Sequence, residues 1–226
     1  MRILVVAATH TEIAPLVAML AGGTNARSQV KSYTQAQHEI DALTTGVGMV
    51  ATAAWTSRVL AQNRYDVAFN FGLCGSFDSA IELTRVVHVV SDRIAELGAE
   101  DDETFLSSQQ LKLVNEDEFP LHGGQLVNRY PPAGATLAKL LAVSGITVNT
   151  VHGNERSIAS VMRRFKPQVE SMEGAAFMYA CMINEMPFAQ VRAVSNVIEK
   201  RNREAWNVSQ AISKLSEAAL NMLEEV

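Results

Sequence analysis

Residues able to do chemistry gather at four places where an apolar run gives way to glycines or polar side chains. These are THTE (9–12), TGVGMVA (45–51), FGLCGSF (71–77), and the pair SMEGAA (171–176) with RAVSN (192–196). Glu12 falls in the first turn of an expected helix, where a carboxylate either complements the helix dipole or faces a ligand at the strand end. Glu173 opens an apolar helix under the same two readings. Asn196 closes an apolar strand, as a turn residue or as a ligand contact. TGVGMVA has the spacing G-x-G-x-x-A of a dinucleotide fingerprint, with Asp66 as the acidic partner twenty positions on. Asp66 opens a strand, however, and the ribose-binding carboxylate belongs at a strand's end. Gly46 and Gly48 therefore read better as a turn that lets the backbone approach a smaller ligand. In FGLCG, the backbone around Leu73, Cys74 and Gly75 can face a flat polar ligand such as a base.

Positioning these groups requires strands that run into loops and helices. The patterns predict strands at 2–8, 66–72, 84–96, 146–151 and 188–195, and a polar hairpin at 28–35 and 37–45. Helices are predicted at 10–21, 48–62, 133–143, 155–165, 173–184 and 204–225, with Gly22-Gly23 stopping the first and 97–132 irregular. The last helix carries Val208, Ala211, Ile212, Leu215, Ala218, Ala219, Met222 and Leu223 on one face. Strands separated by helices imply an α/β domain with a largely parallel sheet, covered on both faces. Ligands in such sheets sit at the carboxyl ends of the strands, where the four places lie. No repeat or flexible linker divides residues 1–226, which read as one domain.

Composition narrows the partners. Nineteen basic against twenty-four acidic residues give a net charge of −5, which argues against nucleic acid and anionic membranes. No window approaches the roughly 20 apolar residues of a membrane span, and the opening apolar run is too short for a leader. Cys74 and Cys181 suit a reducing cytoplasm, Cys74 as a packing residue rather than a nucleophile. His10, His38, His88, His122 and His152 lack metal-ligand spacing and read as structural or surface residues. ELGAEDDE (96–103) reads as a solvated loop. No metal or cofactor is expected.

The ordered set T-x-T-E, T-G-V-G, F-G-L-C-G, S-M-E-G-A-A and R-A-V-S-N resembles the nucleoside phosphorylase/hydrolase superfamily across essentially the whole chain. Within it the arrangement resembles methylthioadenosine/S-adenosylhomocysteine nucleosidases and futalosine hydrolases. The nucleosidases carry E-M-E where this chain has Ser171-Met172-Glu173, and Asp where it has Asn196. Those departures, with SNVIEKRNREAW (195–206), look like the futalosine hydrolases. The resemblance implies a single α/β domain with a mixed, partly barrel-like sheet, a homodimer, and a small nucleoside substrate attacked by water. It assigns water activation to Glu12, the ribose hydroxyls to Glu173, the sugar face to Met172, and the purine N7 edge to Asn196. Leu73, Cys74, Gly75 and Val151 would line the base pocket, and Arg201 or Arg203 could take a benzoate carboxylate at the 5′ end. Alternatives remain an adenine nucleosidase, a purine nucleoside phosphorylase, a non-catalytic nucleoside-binding module and a dinucleotide enzyme. Residues 9–25 contain no arginine for phosphate, which favours water as nucleophile. An amide at 196 suits a 6-oxopurine.

Overall fold

The computed structural model describes residues 1–23 and 29–226. The first apolar run forms β1 (Arg2–Ala7), buried from Ile3 onward, and Thr9 caps α1 (His10–Met19). The polar segments that follow form an antiparallel ribbon of β2 (Ala21–Gly22), β3 (Val30–Gln35) and β4 (His38–Thr44). The predicted hairpin is thus present, although its first residue, 28, lies outside the described residues. Then come α2 (Met49–Gln62), β5 (Val67–Ser76) and β6 (Val86–Asp92). A small hairpin, β7 (Gly98–Asp101) and β8 (Thr104–Ser107), precedes β9 (Leu126–Val127). The chain finishes with α3 (Ala135–Lys139), β10 (Leu141–Thr147), α4 (Glu155–Phe165), β11 (Val169–Ser171), α5 (Gly174–Ile183), β12 (Phe188–Val197) and α6 (Val208–Glu225).

The sheet runs β11-β10-β6-β12-β5-β1-β4-β3-β2, and β11 pairs again with β5. That second pairing closes β5, β12, β6, β10 and β11 into a small barrel, from which β1 to β4 extend as an open wing. β1, β5 and β12 are mutually parallel neighbours in the order β1-β5-β12, so their carboxyl ends fall together. One face packs Ile3, Val5, Phe69 and Phe71 against Ile13 and Leu16 of α1 and Leu215 and Leu223 of α6. The other packs Leu4, Val6 and Ala68 against Val59 and Leu60 of α2 and Phe177 and Met178 of α5. Each fully buried leucine here contributes roughly 1.5–3 kcal/mol.

Several predicted elements move. Residues 133–143 are not one helix: α3 stops at Lys139 and β10 starts at Leu141, because the run 141–147 pairs with β6 on one side and β11 on the other. Ladder pairing outweighs local helix preference there. β10 therefore ends at Thr147, and Val151 sits in the following loop instead of closing a strand. β6 ends at Asp92, and the irregular 97–132 segment contains β7, β8 and β9. β5 continues past Gly72 to Ser76, because its glycines admit neighbouring side chains without breaking the ladder to β12.

Candidate active site

Glu12 is held from two sides. Its Oε2 accepts from the Thr9 backbone N–H and the Thr9 hydroxyl, each at 2.9 Å, while Oε1 accepts from the Leu73 N–H at 3.1 Å. The bond to the helix cap is the reading in which Glu12 only steadies α1. The bond to Leu73 adds something that reading does not require: it locks the carboxylate over the end of β5.

Above Gly72 this carboxylate and a guanidinium converge on the same space. A Cβ on Gly72 would collide with Arg192 Nη1 and stand 3.1 Å from Glu12 Oε1. Arg192 is fully buried on β12, and its Nη2 donates to Asn70 Oδ1, while Asn70 Nδ2 donates to the Val6 carbonyl at 2.9 Å. Arg192 Nη1 lies 4.0 Å from Glu173 Oε2. Nε and Nη1 have no protein acceptor among the described residues. Buried donors of this kind are satisfied by solvent or ligand.

Glu173 completes the cluster at the N-cap of α5, only 5% exposed, with Oε1 accepting from the Gly48 N–H at 3.1 Å. Burial pushes its pKa above the usual carboxylate range, and the Glu12 charge adds to that. Arg192 and the Gly48 amide pull the other way. Gly46 and Gly48 have φ of 94° and 95°, left-handed values that glycine adopts freely, and this turn aims the Gly48 amide at Glu173. Two carboxylates and one buried arginine can polarise a water and grip vicinal hydroxyls.

Farther along β5 lies a cleft of about 70 Å³, lined by Gly75, Val151, His152, Glu170, Asn196, Ile198, Arg201 and Trp206 among others. Gly75 is registered with Asn196, and a Cβ there would come within 2.7 Å of Ile198 and 3.1 Å of Asn196 Nδ2. Asn196 is oriented by the Ser195 hydroxyl, which donates to its Oδ1 at 2.8 Å, and by its own Nδ2 donating to the Val197 carbonyl. From Gly72 to Gly75 the β5 backbone advances roughly 10 Å, the reach of a nucleoside from sugar to base.

Most of the sequence-predicted residues converge here. Glu12, Glu173, Gly48 and Leu73 meet through hydrogen bonds or Arg192, and Gly75, Val151, Asn196 and Arg201 line the cleft. Met172 is half-buried beside Glu173. Two contribute differently from expectation. The Cys74 thiol, pushed up to about 12 by burial, packs among Val87, Val89, Val143 and Val194. Its carbonyl accepts from Ser195, so Cys74 shapes the cleft wall from behind. Arg203 is not among the cleft residues; both it and Arg201 lie by the Trp206 ring, at 5.8 and 5.6 Å. Asp66 accepts from the Arg2 N–H at the opposite end of β1, remote from Gly46 and Gly48.

The structure adds Arg192, Asn70, His152 and Glu170. Arg192 carried a signal, a lone cation inside an apolar strand. His152 sits against Glu170, the structural one of its two expected placements. Among the described residues, no three or more His, Cys, Asp or Glu side chains are grouped to hold a metal, and no helix is long and apolar enough to cross a membrane.

A five-strand barrel with an open wing, its chemistry at the carboxyl ends of β1, β5 and β12, is the nucleosidase/phosphorylase fold. The chain belongs to the phosphorylase superfamily, whose family model matches residues 2–226. It is 31% identical to a futalosine hydrolase of Thermus thermophilus, over 81% of this chain and 80% of that one. It is 29% identical to a futalosine hydrolase of Streptomyces coelicolor, over 79% and 76%. Among solved structures, the futalosine hydrolase of Helicobacter pylori strain 26695 superimposes with a TM-score of 0.80 at 12% identity, covering 100% of this chain and 98% of its own. A 5′-methylthioadenosine/S-adenosylhomocysteine nucleosidase from Colwellia psychrerythraea 34H, in complex with adenine, gives 0.79 at 21% identity, covering 99% and 95%.

Proposed function

We propose that this protein is a futalosine hydrolase, an N-glycosyl hydrolase that releases hypoxanthine from futalosine and serves the futalosine route to menaquinone. The observation that carries the hydrolytic reading is the cluster of Glu12, Arg192 and Glu173, whose formal charge is −1. A phosphate nucleophile would enter an already anionic site. A carboxylate about 4 Å from a phosphate charge costs about 4 kcal/mol at an effective dielectric of 20. Water suffers no such penalty.

Each residue then has a role. Glu12 and Arg192 hold the water, and Glu12 takes its proton as it attacks the anomeric carbon. Glu173, steadied by Gly48, accepts from the ribose 2′- and 3′-hydroxyls, with Met172 against the sugar. Both carboxylates stabilise the oxocarbenium-like transition state. Gly75 and Val151 flank the base, and Asn196 faces its O6/N7 edge and donates to O6. Arg201, on the cleft, takes the benzoate carboxylate in preference to Arg203.

Residues 1–226 act as one catalytic domain in the cytoplasm. The assembly proposed is a homodimer, using the apolar surface where α2 and α5 pack together. Val50, Tyr179 and Ile183 are exposed there, and Phe119 shares one cavity with Tyr179 and another with Tyr130.

The adenine-nucleosidase reading draws on the fold match to the Colwellia enzyme. One assay separates the readings: futalosine, inosine and methylthioadenosine incubated with the protein, with and without phosphate. Hypoxanthine and a free sugar from futalosine are expected in both conditions. Release of adenine alone supports the adenine nucleosidase, and a sugar 1-phosphate supports a phosphorylase.

A further inference from the structure

We propose that His152, held by Glu170, donates the proton that lets the base depart. The need arises from Asn196, whose amide can orient a purine but has no proton to give up. As the bond between C1′ and N9 breaks, its electron pair moves into the purine. A 6-oxopurine then leaves as an anion unless a lone-pair ring nitrogen, N3 or N7, is protonated.

The candidate donor stands across the cleft from Asn196. Gly75 is registered with Asn196 on one side and with Glu170 on the other. Two strand spacings of ~4.8 Å therefore separate these positions, roughly 10 Å along the cleft wall, with the Ile198 side chain over Gly75 between them. Glu170 is 3% exposed, and both of its oxygens are engaged by His152: Oε1 accepts from the backbone N–H at 2.9 Å, and Oε2 is in close contact with Nδ1. The Phe77 ring meets the imidazole edge-on, centroids 6.1 Å apart. A carboxylate on Nδ1 fixes the ring and its tautomer, which leaves Nε2–H as the proton donor. No described residue bonds Nε2, and the side chain keeps 11% of its surface open between two cavities, one of which it lines with Asn196. A purely structural partner for Glu170 would not need an ionisable ring on this wall.

The step balances without any co-reactant. Nε2–H passes its proton to the purine as the C1′–N9 bond breaks. The water oxygen bonds C1′ and loses a proton to Glu12. Exchange with solvent then returns Glu12 and His152 to their starting forms.

The proposal rests on the hydrolase reading, which the wild type tests first: hypoxanthine release from futalosine must be seen before any variant is interpreted. The variants are His152→Gln and Glu170→Gln, assayed on futalosine and on 4-nitrophenyl β-D-ribofuranoside, whose nitrophenolate departs without a proton. His152→Gln should lower the ratio of kcat/KM for futalosine to that for the nitrophenyl riboside at least about a hundredfold, the lower end of the range usual for a general acid. The kcat pH profile is a second readout. Wild type should lose rate at high pH along a limb that His152→Gln lacks, and Glu170→Gln should lower the same substrate ratio in the same direction as His152→Gln. The charged groups lining the two cavities beside the ring are Glu170, Glu199 and Arg201 on one side, and Glu96, Glu100 and Arg164 on the other. None of these is altered in His152→Gln. Equal losses on both substrates, or a basic limb that survives in His152→Gln, would overturn the proposal and leave His152 as a structural tie. If wild type does not turn over the nitrophenyl riboside, the pH limb alone decides.

Discussion

Glu12 answers to two masters, a helix cap and the end of β5, and their energies differ in what a substitution reveals. Glu12→Gln keeps an acceptor for Thr9 and loses the negative charge beside Arg192. Losing a capping interaction costs about 1 kcal/mol, whereas losing a general base costs roughly 10²–10⁴ in rate. The expected outcome is a well-folded protein with turnover down at least about a hundredfold and nucleoside binding retained. Near-normal turnover would return Glu12 to the cap alone. Asn196 is tested by exchange rather than removal. Asn196→Asp restores an acid that can protonate N7 and accept from a 6-amino group, so the preference for hypoxanthine over adenine nucleosides should narrow. Wild type cleaving both bases equally well, at a fixed 5′ substituent, would show that Asn196 does not set base choice. Glu12, Glu173 and Asn196 were legible in the sequence because each stands where an apolar run ends. Arg192 carried only the signal of a lone cation in an apolar strand, because its function depends on Asn70, Glu12 and Glu173, which are neighbours only in space.

At the scale of elements, β5 carries the site because two of its residues lack side chains. The Arg192 guanidinium occupies the space a Cβ on Gly72 would need, and Glu12 closes over the same point. Gly72→Ala should displace Arg192 from Asn70, with overpacking of about 1–3 kcal/mol. It should also reduce kcat by more than tenfold, although residue 72 has no side chain to touch substrate. A Gly72→Ala variant with wild-type kcat and urea midpoint would mean that Arg192 relaxes without consequence. The sequence placed β5 correctly at its start but ended it at 72, since glycines ordinarily punctuate strands. Here the ladder to β12 carries the strand through them. β11 escaped notice for another reason: three residues are too few for a period, and Val169–Ser171 is a strand only because β10 and β5 lie on either side.

Across the whole molecule, two buried groups on β6 oppose each other in how stability depends on pH. Asp92 accepts from the Arg93 N–H, Thr147 Oγ1 and Gln190 Nε2, tying β6 to β10 and β12. Thr147 Oγ1 in turn accepts from the Ala175 N–H in the first turn of α5. Burial outweighs those bonds and raises Asp92 from 3.8 to about 6. Between those values the folded chain keeps a proton that the unfolded chain has released. Its stabilising contribution is therefore full below about pH 4 and is lost as pH rises through about 6. At about 1.4 kcal/mol per unit, the loss is about 3 kcal/mol. His88 is also buried, with Nε2 lacking a partner among the described residues, and burial lowers it from 6.5 to about 4. Its contribution is full above 6.5 and is lost as pH falls through about 4, again about 3 kcal/mol. From pH 4 to 6 the two slopes cancel. Asp92→Asn keeps acceptors for Arg93 and Thr147, and its NH₂ can donate to Gln190 Oε1, which has no partner among the described residues. Relative to wild type, Asp92→Asn should gain about 3 kcal/mol between pH 4 and 6. His88→Gln should lose a similar amount over pH 4 to 6.5, because it no longer shares the rise that His88 supplies. Urea unfolding of the three proteins at pH 4.5, 5.5 and 6.5, at one protein concentration, reads both slopes. If the Asp92→Asn difference stays constant across that range, Asp92 is charged in the fold at every pH tested, and the opposing pair does not exist.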